Sequence, residues 1–223
     1  MPDGQYSFYL HSDDRTDIAA MATISTISQP LRGEFIRTAA TAGAVVYQVD
    51  ARLPALIPVF FAGQLRAVRL CAVMALVSGT WSSLTGLPDE PENGEAALPV
   101  SPETEYQRRR YTLTLQNGRS GERVESVLTE ASSRLRGDLL RNLIITGLAL
   151  HTTAPELPRL LASMPVPPTS VSELQALVQQ MAGTADVNRA TAAVPDTPAA
   201  SAAPVSGSDT REIKKNMRRA FGD

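Results

Sequence analysis

Alternation of polar and apolar residues predicts two short β-strands, one near the start of the chain and one near its middle. In the first segment the apolar side chains are Tyr6, Phe8 and Leu10, and the intervening ones are Ser7, Tyr9 and His11. In the second segment the two sets are Tyr111, Leu113 and Leu115, and Thr112, Thr114 and Gln116. Since successive side chains of a strand point to opposite faces, each strand is predicted to be half-buried.

Helical spacing of apolar residues follows each strand. We predict a first helix from Asp13 to about Ile27 and its counterpart over residues 120–131. The next helix of each segment carries an apolar stripe, and the two stripes are Phe35, Ala39, Ala42, Gly43 and Val46, and Leu139, Leu143, Thr146, Gly147 and Leu150. A glycine inside a helix costs about 1 kcal/mol relative to alanine, so Gly43 and Gly147 indicate the close approach of another helix.

The chain contains an internal repeat. Residues 31–57 align without a gap on residues 135–161, with eight identities in 27 positions. The strands precede them at matching distances, with one residue of slippage, and both copies keep an LRG tripeptide and an LPxL motif. Two unrelated helices would not share all of these features, so we infer that a strand–helix–helix unit has been duplicated.

One such unit buries little apolar surface and leaves the edge of a lone strand unpaired. Pairing of the two strands would give a ribbon-helix-helix fold, in which a two-stranded antiparallel ribbon enters the major groove of DNA. The strands could pair within one chain, as a pseudo-dimer, or between two chains. The predicted fold class is mainly α with short β-strands, built from two tandem ribbon-helix-helix-like (β-α-α) repeats.

We predict five parts of the chain from these patterns and from shifts in composition. They are a first repeat over 1–60, a helical connector and acidic loop over 61–102, a second repeat with an extra helix over 103–181, a disordered linker over 182–208 and a C-terminal docking helix over 209–223. The linker is assigned from its high content of Ala, Gly, Ser, Thr and Pro.

The C-terminal segment combines an apolar stripe with positive charge. Ile213, Met217 and Phe221 lie at positions i, i+4 and i+8, so they share one face of a helix. Basic residues, including Lys214 and Arg218, flank the stripe. A helix this short is marginal in water, which favours a segment that folds in the groove of a partner protein. A solvated tail, a helix folded back on the body and a DNA-contacting tail are the alternatives.

Composition narrows the functional classes. A single cysteine among 223 residues excludes an intrachain disulfide framework and a cysteine-based zinc site, and two histidines leave little for histidine-led catalysis. We find no phosphate loop, nucleophile elbow, evident signal peptide or apolar run of membrane-spanning length. We therefore expect a cytoplasmic protein that is not an enzyme, needs no cofactor and does not contact a membrane.

The net charge of −2 conceals two locally basic segments. Residues 103–163 and 209–223 each carry a net charge of +2, whereas the other parts are acidic. A protein that is acidic overall can still bind DNA when its basic groups are segregated on one face.

Candidate DNA-binding residues lie on the polar strand faces and at the starts of the second helices. Hydroxyl and amide side chains can bond base edges, which assigns Ser7, Tyr9, His11, Thr112, Thr114 and Gln116 to this role. Arg108, Arg109 and Arg110 precede the second strand and could follow the phosphate backbone. Arg32 and Arg136 precede helices whose backbone N–H groups could bind phosphate. The alternative is a solvent-facing strand surface with ordinary surface arginines.

The string GEFIRTAATAGAVVYQVDARLPALI, over residues 33–57, resembles plasmid stability proteins of the StbB type, which are functional relatives of ParR adaptors. The resemblance rests on a Phe-Ile-Arg helix start, an Ala/Gly-rich helix and a D-x-R-L-P-x-L motif. It covers about residues 5–60 and, more weakly, 107–161. It implies a DNA binder that assembles on centromere-like repeats and couples plasmid DNA to an actin-like ATPase filament. The tail is similar in kind to the helix by which such adaptors bind the filament. Typical ParR proteins are shorter and have one ribbon-helix-helix unit per chain.

The function we expect is that of a plasmid partition adaptor that forms homo-oligomers on double-stranded DNA. Its partner-binding residues would be Ile213, Lys214, Met217, Arg218 and Phe221, and the partner would be an actin-like ATPase of the ParM kind. One alternative is an autoregulatory repressor or conjugation accessory protein, which needs the DNA-binding surface but not the tail. The other is a protein-interaction or oligomerisation module that does not bind DNA.

Overall fold

Two strands and eight α-helices are formed by residues 4–80 and 107–192, the residues that this computed structural model describes. In the first half they are β1 (Gln5–His11), α1 (Arg15–Ser25), α2 (Arg32–Val49), α3 (Leu53–Leu56) and α4 (Ala67–Ser78). In the second half they are β2 (Arg108–Thr114), α5 (Arg119–Glu130), α6 (Arg136–Thr153), α7 (Leu157–Ser163) and α8 (Val171–Ala192). Short 3-10 turns at Gln29–Leu31 and Ile57–Phe60 precede α2 and follow α3.

The two strands pair with each other in an antiparallel ribbon. Gln5 lies opposite Thr114 at one end, and His11 lies opposite Arg108 at the other. Both strands come from the same chain, so the repeats pair as an intramolecular pseudo-dimer. The second strand begins at Arg108 and not at Tyr111, because the backbone of three arginines continues the pairing with β1.

Helices α2 and α6 run antiparallel and form the centre of the molecule. Phe35 near the start of α2 meets His151 near the end of α6, with 4.9 Å between ring centroids. Further along, Gly43 lies against the carbonyl of Leu143, and Gly147 lies against the carbonyl of Ala39. The two contacts are equivalent, because the repeat offset of 104 relates Gly43 to Gly147 and Ala39 to Leu143. The molecule therefore has a pseudo-two-fold axis between its central helices.

The repeat continues beyond the second long helix. Helices α4 and α8 begin 104 residues apart, at Ala67 and Val171. Leu70 and Leu174, at matching positions in these helices, are both fully buried in the common core. The repeated unit thus includes α4 and α8, beyond the boundary at residue 60 that periodicity suggested.

The D-x-R-L-P-x-L motif forms the connection that follows α2. The Arg52 guanidinium bonds the Asp50 carboxylate at 2.8 Å and donates to the carbonyl of Val77 at 2.9 Å, which joins this turn to the end of α4. The hydrogen bond from Arg52 lowers the pKa of Asp50. Leu53 is fully buried and Pro54 lies in the first turn of α3, where its missing N–H has no helical partner to lose.

Helix α8 extends past residue 181, where the predicted second repeat with its extra helix ends. It ends at Ala192, so residues 182–192 of the predicted linker are helical. These residues are rich in alanine, the strongest helix former, and contain no proline before Pro195. The acidic loop, the rest of the linker and the C-terminal segment, with Ile213, Lys214, Met217, Arg218 and Phe221, lie outside the described residues.

Within residues 4–80 and 107–192, no helix has both the length and the apolar character to cross a membrane.

Gly43→Ala and Gly147→Ala test the contact between α2 and α6. A Cβ at either position would overlap the carbonyl oxygen of the facing helix, and neither backbone can move away cheaply. We expect each substitution to lower the free energy of unfolding by about 1–3 kcal/mol, despite the better helix propensity of alanine. Chemical denaturation measures this change.

Gly33→Ala is the matched control in the same helix. An added Cβ there would meet only the flexible end of Arg37, at 3.7 Å. We expect no loss of stability, or a gain of up to about 1 kcal/mol. Equal losses at Gly33 and Gly43 would contradict the importance of the close helix contact.

Candidate nucleic-acid interface

The inner face of the ribbon fixes it to the helical core. Phe8 and Leu10 of β1 are fully buried, and Phe8 stacks on Tyr111 of β2 with 5.2 Å between ring centroids. Burial raises the pKa of Tyr111, although the nearby charges of Arg109 and Arg32 oppose this rise. The predicted alternation is thus confirmed, and it leaves the opposite face of both strands directed away from the core.

The outer face of the ribbon consists of four cross-strand pairs: Gln5–Thr114, Ser7–Thr112, Tyr9–Arg110 and His11–Arg108. At one end the side chains carry an amide and a hydroxyl, and we call this the amide end. At the other end lie two guanidinium groups, a phenol and an imidazole, and we call this the arginine end. All four β2 members of these pairs are exposed. The face offers hydrogen-bond donors and acceptors along its whole length.

The two arginines of the outer face are held against the ribbon. Arg110 donates from Nε and Nη2 to the Ser7 hydroxyl, at 3.2 and 2.9 Å. The guanidinium carbon of Arg108 lies 3.6 Å from the centroid of the Tyr9 ring, in cation–π geometry. Such contacts restrict the side chains before a ligand arrives and reduce the entropy lost on binding.

Two of the sequence assignments in and next to β2 change, and one residue of β1 is added to the outer face. Arg109 lies on the same side of the strand as Tyr111, with its guanidinium carbon 5.2 Å from that ring, and so does not share the outer face with its neighbours. Gln116 follows the end of β2 and is exposed beside the turn into α5. Gln5, which the sequence pattern did not single out, belongs to the outer face because the register places it opposite Thr114.

Arg32 and Arg136 have equivalent internal contacts at the starts of α2 and α6. Arg32 Nε donates to the carbonyl of Ile27 at 2.8 Å, and Arg136 Nε donates to the carbonyl of Ala131 at 3.2 Å. Each arginine therefore stabilises the loop that precedes its own helix. A phosphate contact by either side chain remains a prediction.

The helix starts themselves lie beside the ribbon. An added Cβ on Gly137, in the first turn of α6, would come within 3.5 Å of the Ser7 carbonyl. Leu31 and Leu135 immediately precede the two helices and are about 60% exposed, at 62% and 59%. The N–H groups of a first helical turn have no helical partners, which makes them potential phosphate ligands next to the outer face.

A buried ion pair joins the two repeats near the arginine end. The Asp17 carboxylate of α1 is 1% exposed and lies 2.6 Å from the Arg141 guanidinium of α6. It also accepts a hydrogen bond from the backbone N–H of His11, at 2.9 Å, which ties α1 to the last residue of β1. Burial raises the pKa of Asp17 above its ordinary value of 3.8, although both hydrogen bonds favour the ionised form.

The second repeat has no counterpart of this ion pair. Gly121 occupies the position of Asp17 and packs directly against the carbonyl of Gln116. Arg37, the counterpart of Arg141, pairs instead with the largely exposed Glu34 at 3.4 Å. The two ends of the ribbon are therefore supported by different chemistry.

An open cleft of about 500 Å³ lies at the arginine end. Its lining includes His11 and Arg108 from the ribbon, Asp13 and Asp14 from the turn before α1, and Asp138 from the first turn of α6. Among the described residues, no group of histidine, cysteine and acidic side chains is arranged to hold a metal ion.

A family model described as "Plasmid stability protein" matches the chain twice, over residues 4–74 and 109–178. Together the two segments cover more than half of the chain, and each covers most of one structural repeat. The match confirms the sequence resemblance to plasmid stability proteins and the duplication. No curated protein and no solved structure matches the chain significantly.

Arg141→Ala tests the inter-repeat ion pair. The substitution leaves the Asp17 carboxylate buried without its cation, so we expect the free energy of unfolding at neutral pH to fall by about 3–5 kcal/mol. Loss of the guanidinium raises the pKa of Asp17 further. The folded variant therefore binds a proton at Asp17 more tightly than the unfolded chain does. Its loss of unfolding free energy relative to the wild type should shrink as the pH falls toward 3.8.

Arg37→Ala is the equivalent substitution in the first repeat. It removes only the pair with the exposed Glu34 and should cost less than about 1 kcal/mol, as measured by the same denaturant titrations. Similar losses of stability for the two variants would contradict the asymmetry of the two ends of the ribbon. A stability loss of Arg141→Ala that grows at low pH would contradict it as well.

Proposed function

The chain belongs to the plasmid stability protein family, and from this premise we propose that it is a DNA-binding segregation adaptor. In this proposal the ribbon binds centromere-like repeats of double-stranded DNA, and several copies assemble on neighbouring repeats. The C-terminal segment binds a filament of an actin-like ATPase. The adaptor works in the cytoplasm, catalyses no reaction and needs no cofactor, because ATP hydrolysis belongs to the filament.

The observation that carries the DNA-binding proposal is the outer face of the intrachain ribbon. The major groove of B-form DNA admits a two-stranded ribbon, and its base edges form hydrogen bonds with arginine, glutamine, serine and threonine. The outer face presents all four of these residue types, at Arg108, Arg110, Gln5, Ser7 and the threonines of β2. Apart from the exposed Arg109, the inner face is built around the buried side chains of Phe8, Leu10 and Leu113, so the outer face is the side available for a ligand.

Contacts to the DNA backbone would come from the starts of α2 and α6. Backbone N–H groups at helix starts bind phosphate, and two pseudo-symmetric helices beside the ribbon could hold the strands on both sides of the groove. Glu34 and Asp138 in the first turns oppose such contacts. Within these turns we therefore assign the phosphate contacts to the backbone N–H groups and not to the acidic side chains.

The filament-binding part of the proposal rests on the family and on the pattern of residues 209–223. Ile213, Met217 and Phe221 would form the apolar face of a docking helix, and Lys214 and Arg218 would flank it. The family match ends at residue 178, so within residues 209–223 themselves the support comes from the sequence pattern.

Replacing both Arg108 and Arg110 by alanine should weaken DNA binding. We expect the dissociation constant for DNA from upstream of the chain's own gene to rise about tenfold or more, because a good arginine–base contact contributes about 1–3 kcal/mol. A gel-shift titration at two salt concentrations measures this effect, and wild-type binding should weaken as salt rises.

Arg159→Ala is the charge control. Arg159 is exposed on α7, outside the ribbon and outside the first turns of α2 and α6 that the proposal assigns to DNA contacts. We expect little change in affinity from this variant. If the wild type binds neither specific nor random DNA, the chain is an interaction module without DNA binding and the proposal is wrong.

Phe221→Ala tests the docking segment. It should abolish co-sedimentation with filaments of the actin-like partner and leave the affinity for DNA unchanged. Asn216→Ala, which lies off the apolar stripe, is the matched control and should co-sediment like the wild type. Unchanged filament binding by Phe221→Ala would refute the docking helix. Plasmid stability that survives deletion of residues 209–223 would favour an autoregulatory repressor or conjugation accessory protein.

A further inference from the structure

The inner and outer faces of the ribbon differ in symmetry. The register pairs Ser7 with Thr112, and the pseudo-two-fold axis that relates Tyr6 to Tyr111 passes through this pair. On the inner face, positions related by this axis have similar chemistry and burial. Phe8, for example, corresponds to Leu113, and both side chains are apolar and buried. The duplication has therefore kept the side of the ribbon that faces the core.

On the outer face, the same axis relates unlike side chains. Gln5 at the amide end corresponds to Arg110 at the arginine end, and Thr114 corresponds to Tyr9. A ribbon made by two identical chains would present the same residues at both ends, and its DNA site would mirror that symmetry. This ribbon presents neutral groups at one end and guanidinium groups at the other.

We propose that the chain reads a non-palindromic DNA site in one fixed orientation, with its arginine end over a guanine-containing half and its amide end over an A·T-containing half. The inference rests on the proposed DNA binding. Arginine is suited to the O6 and N7 acceptors of guanine. Glutamine is suited to the N6 and N7 atoms of adenine, and the threonine methyl group to the methyl group of thymine.

The turns that flank the ribbon add to this asymmetry. The turn after β1 contains Asp13 and Asp14, and the corresponding turn after β2 contains Asn117 and Gly118. Asp14 pairs with Arg141 at 3.3 Å, but the cleft that both carboxylates share with Arg108 is lined by more carboxylates than guanidinium groups, so a phosphate beside the arginine end meets net negative charge. Neutral residues at the other turn impose no such repulsion. Phosphate contacts are thus weaker at the arginine end, and that end depends more on base contacts.

Selection of bound sequences from a randomised duplex library by the full-length chain tests the proposal. We expect an asymmetric consensus with guanine preferred in one half and A·T pairs in the other. A palindromic consensus would overturn the inference, and so would DNA binding without any sequence preference. The absence of all DNA binding would instead refute the proposed function on which the inference rests.

Substitutions at the two ends assign each half of the site. Arg110→Ala should reduce the preference for guanine about 5- to 150-fold in one half and leave the other half unchanged, since a bidentate contact contributes about 1–3 kcal/mol. Gln5→Ala, the matched substitution at the pseudo-equivalent position, should relax only the opposite half. Relaxation of both halves by either variant would overturn the fixed orientation.

Arg110→Lys separates base reading from general charge. Lysine keeps the positive charge but lacks the planar fork of donors, so it should bind DNA yet lose most of the preference for guanine. Both positions are exposed, and unchanged thermal unfolding of the three variants would exclude a folding defect. Wild-type guanine preference in Arg110→Lys would contradict bidentate reading by Arg110.

Discussion

The close contact between α2 and α6 is the constraint on which the rest of the structure depends. Neither repeat could bury its own apolar helix face. Because Gly43 and Gly147 have no side chain, each lies directly against a backbone carbonyl of the facing helix. This contact brings α1 and α5 around the central pair and places the two strands side by side. The pairing of β1 with β2 follows from the helix contact, because a lone two-stranded ribbon is marginal in water.

Around this symmetric centre, the two ends of the ribbon differ. The buried ion pair of Asp17 and Arg141 supports the arginine end of the ribbon, whereas Gly121 packs against backbone at the other end. A single chain can tolerate such differences because each half of the ribbon has its own codons. A homodimer could not, since any change would occur at both ends. If the proposed DNA binding holds, the duplication offers a route from a symmetric DNA reader to an oriented one.

Much of the architecture is predictable from the sequence. The alternation around Phe8, the apolar stripe with Gly43 and the repeat itself predict the ribbon and the central helices. Local patterns could not show that β2 includes its arginines, because arginine in a strand carries no apolar signal. They could not identify the pair of Asp17 and Arg141 either, since its partners lie 124 residues apart. The alanine-rich start of the predicted linker was assigned wrongly because alanine counts equally as linker composition and as a helix former.

The central claim is that one chain completes a DNA-binding ribbon by itself. Native mass spectrometry of the full-length protein with a duplex that carries one selected site tests this claim most directly. The account predicts a complex of one chain per duplex, with further copies added only on duplexes that carry further sites. Two chains on a single site, or no complex with any duplex, would contradict it.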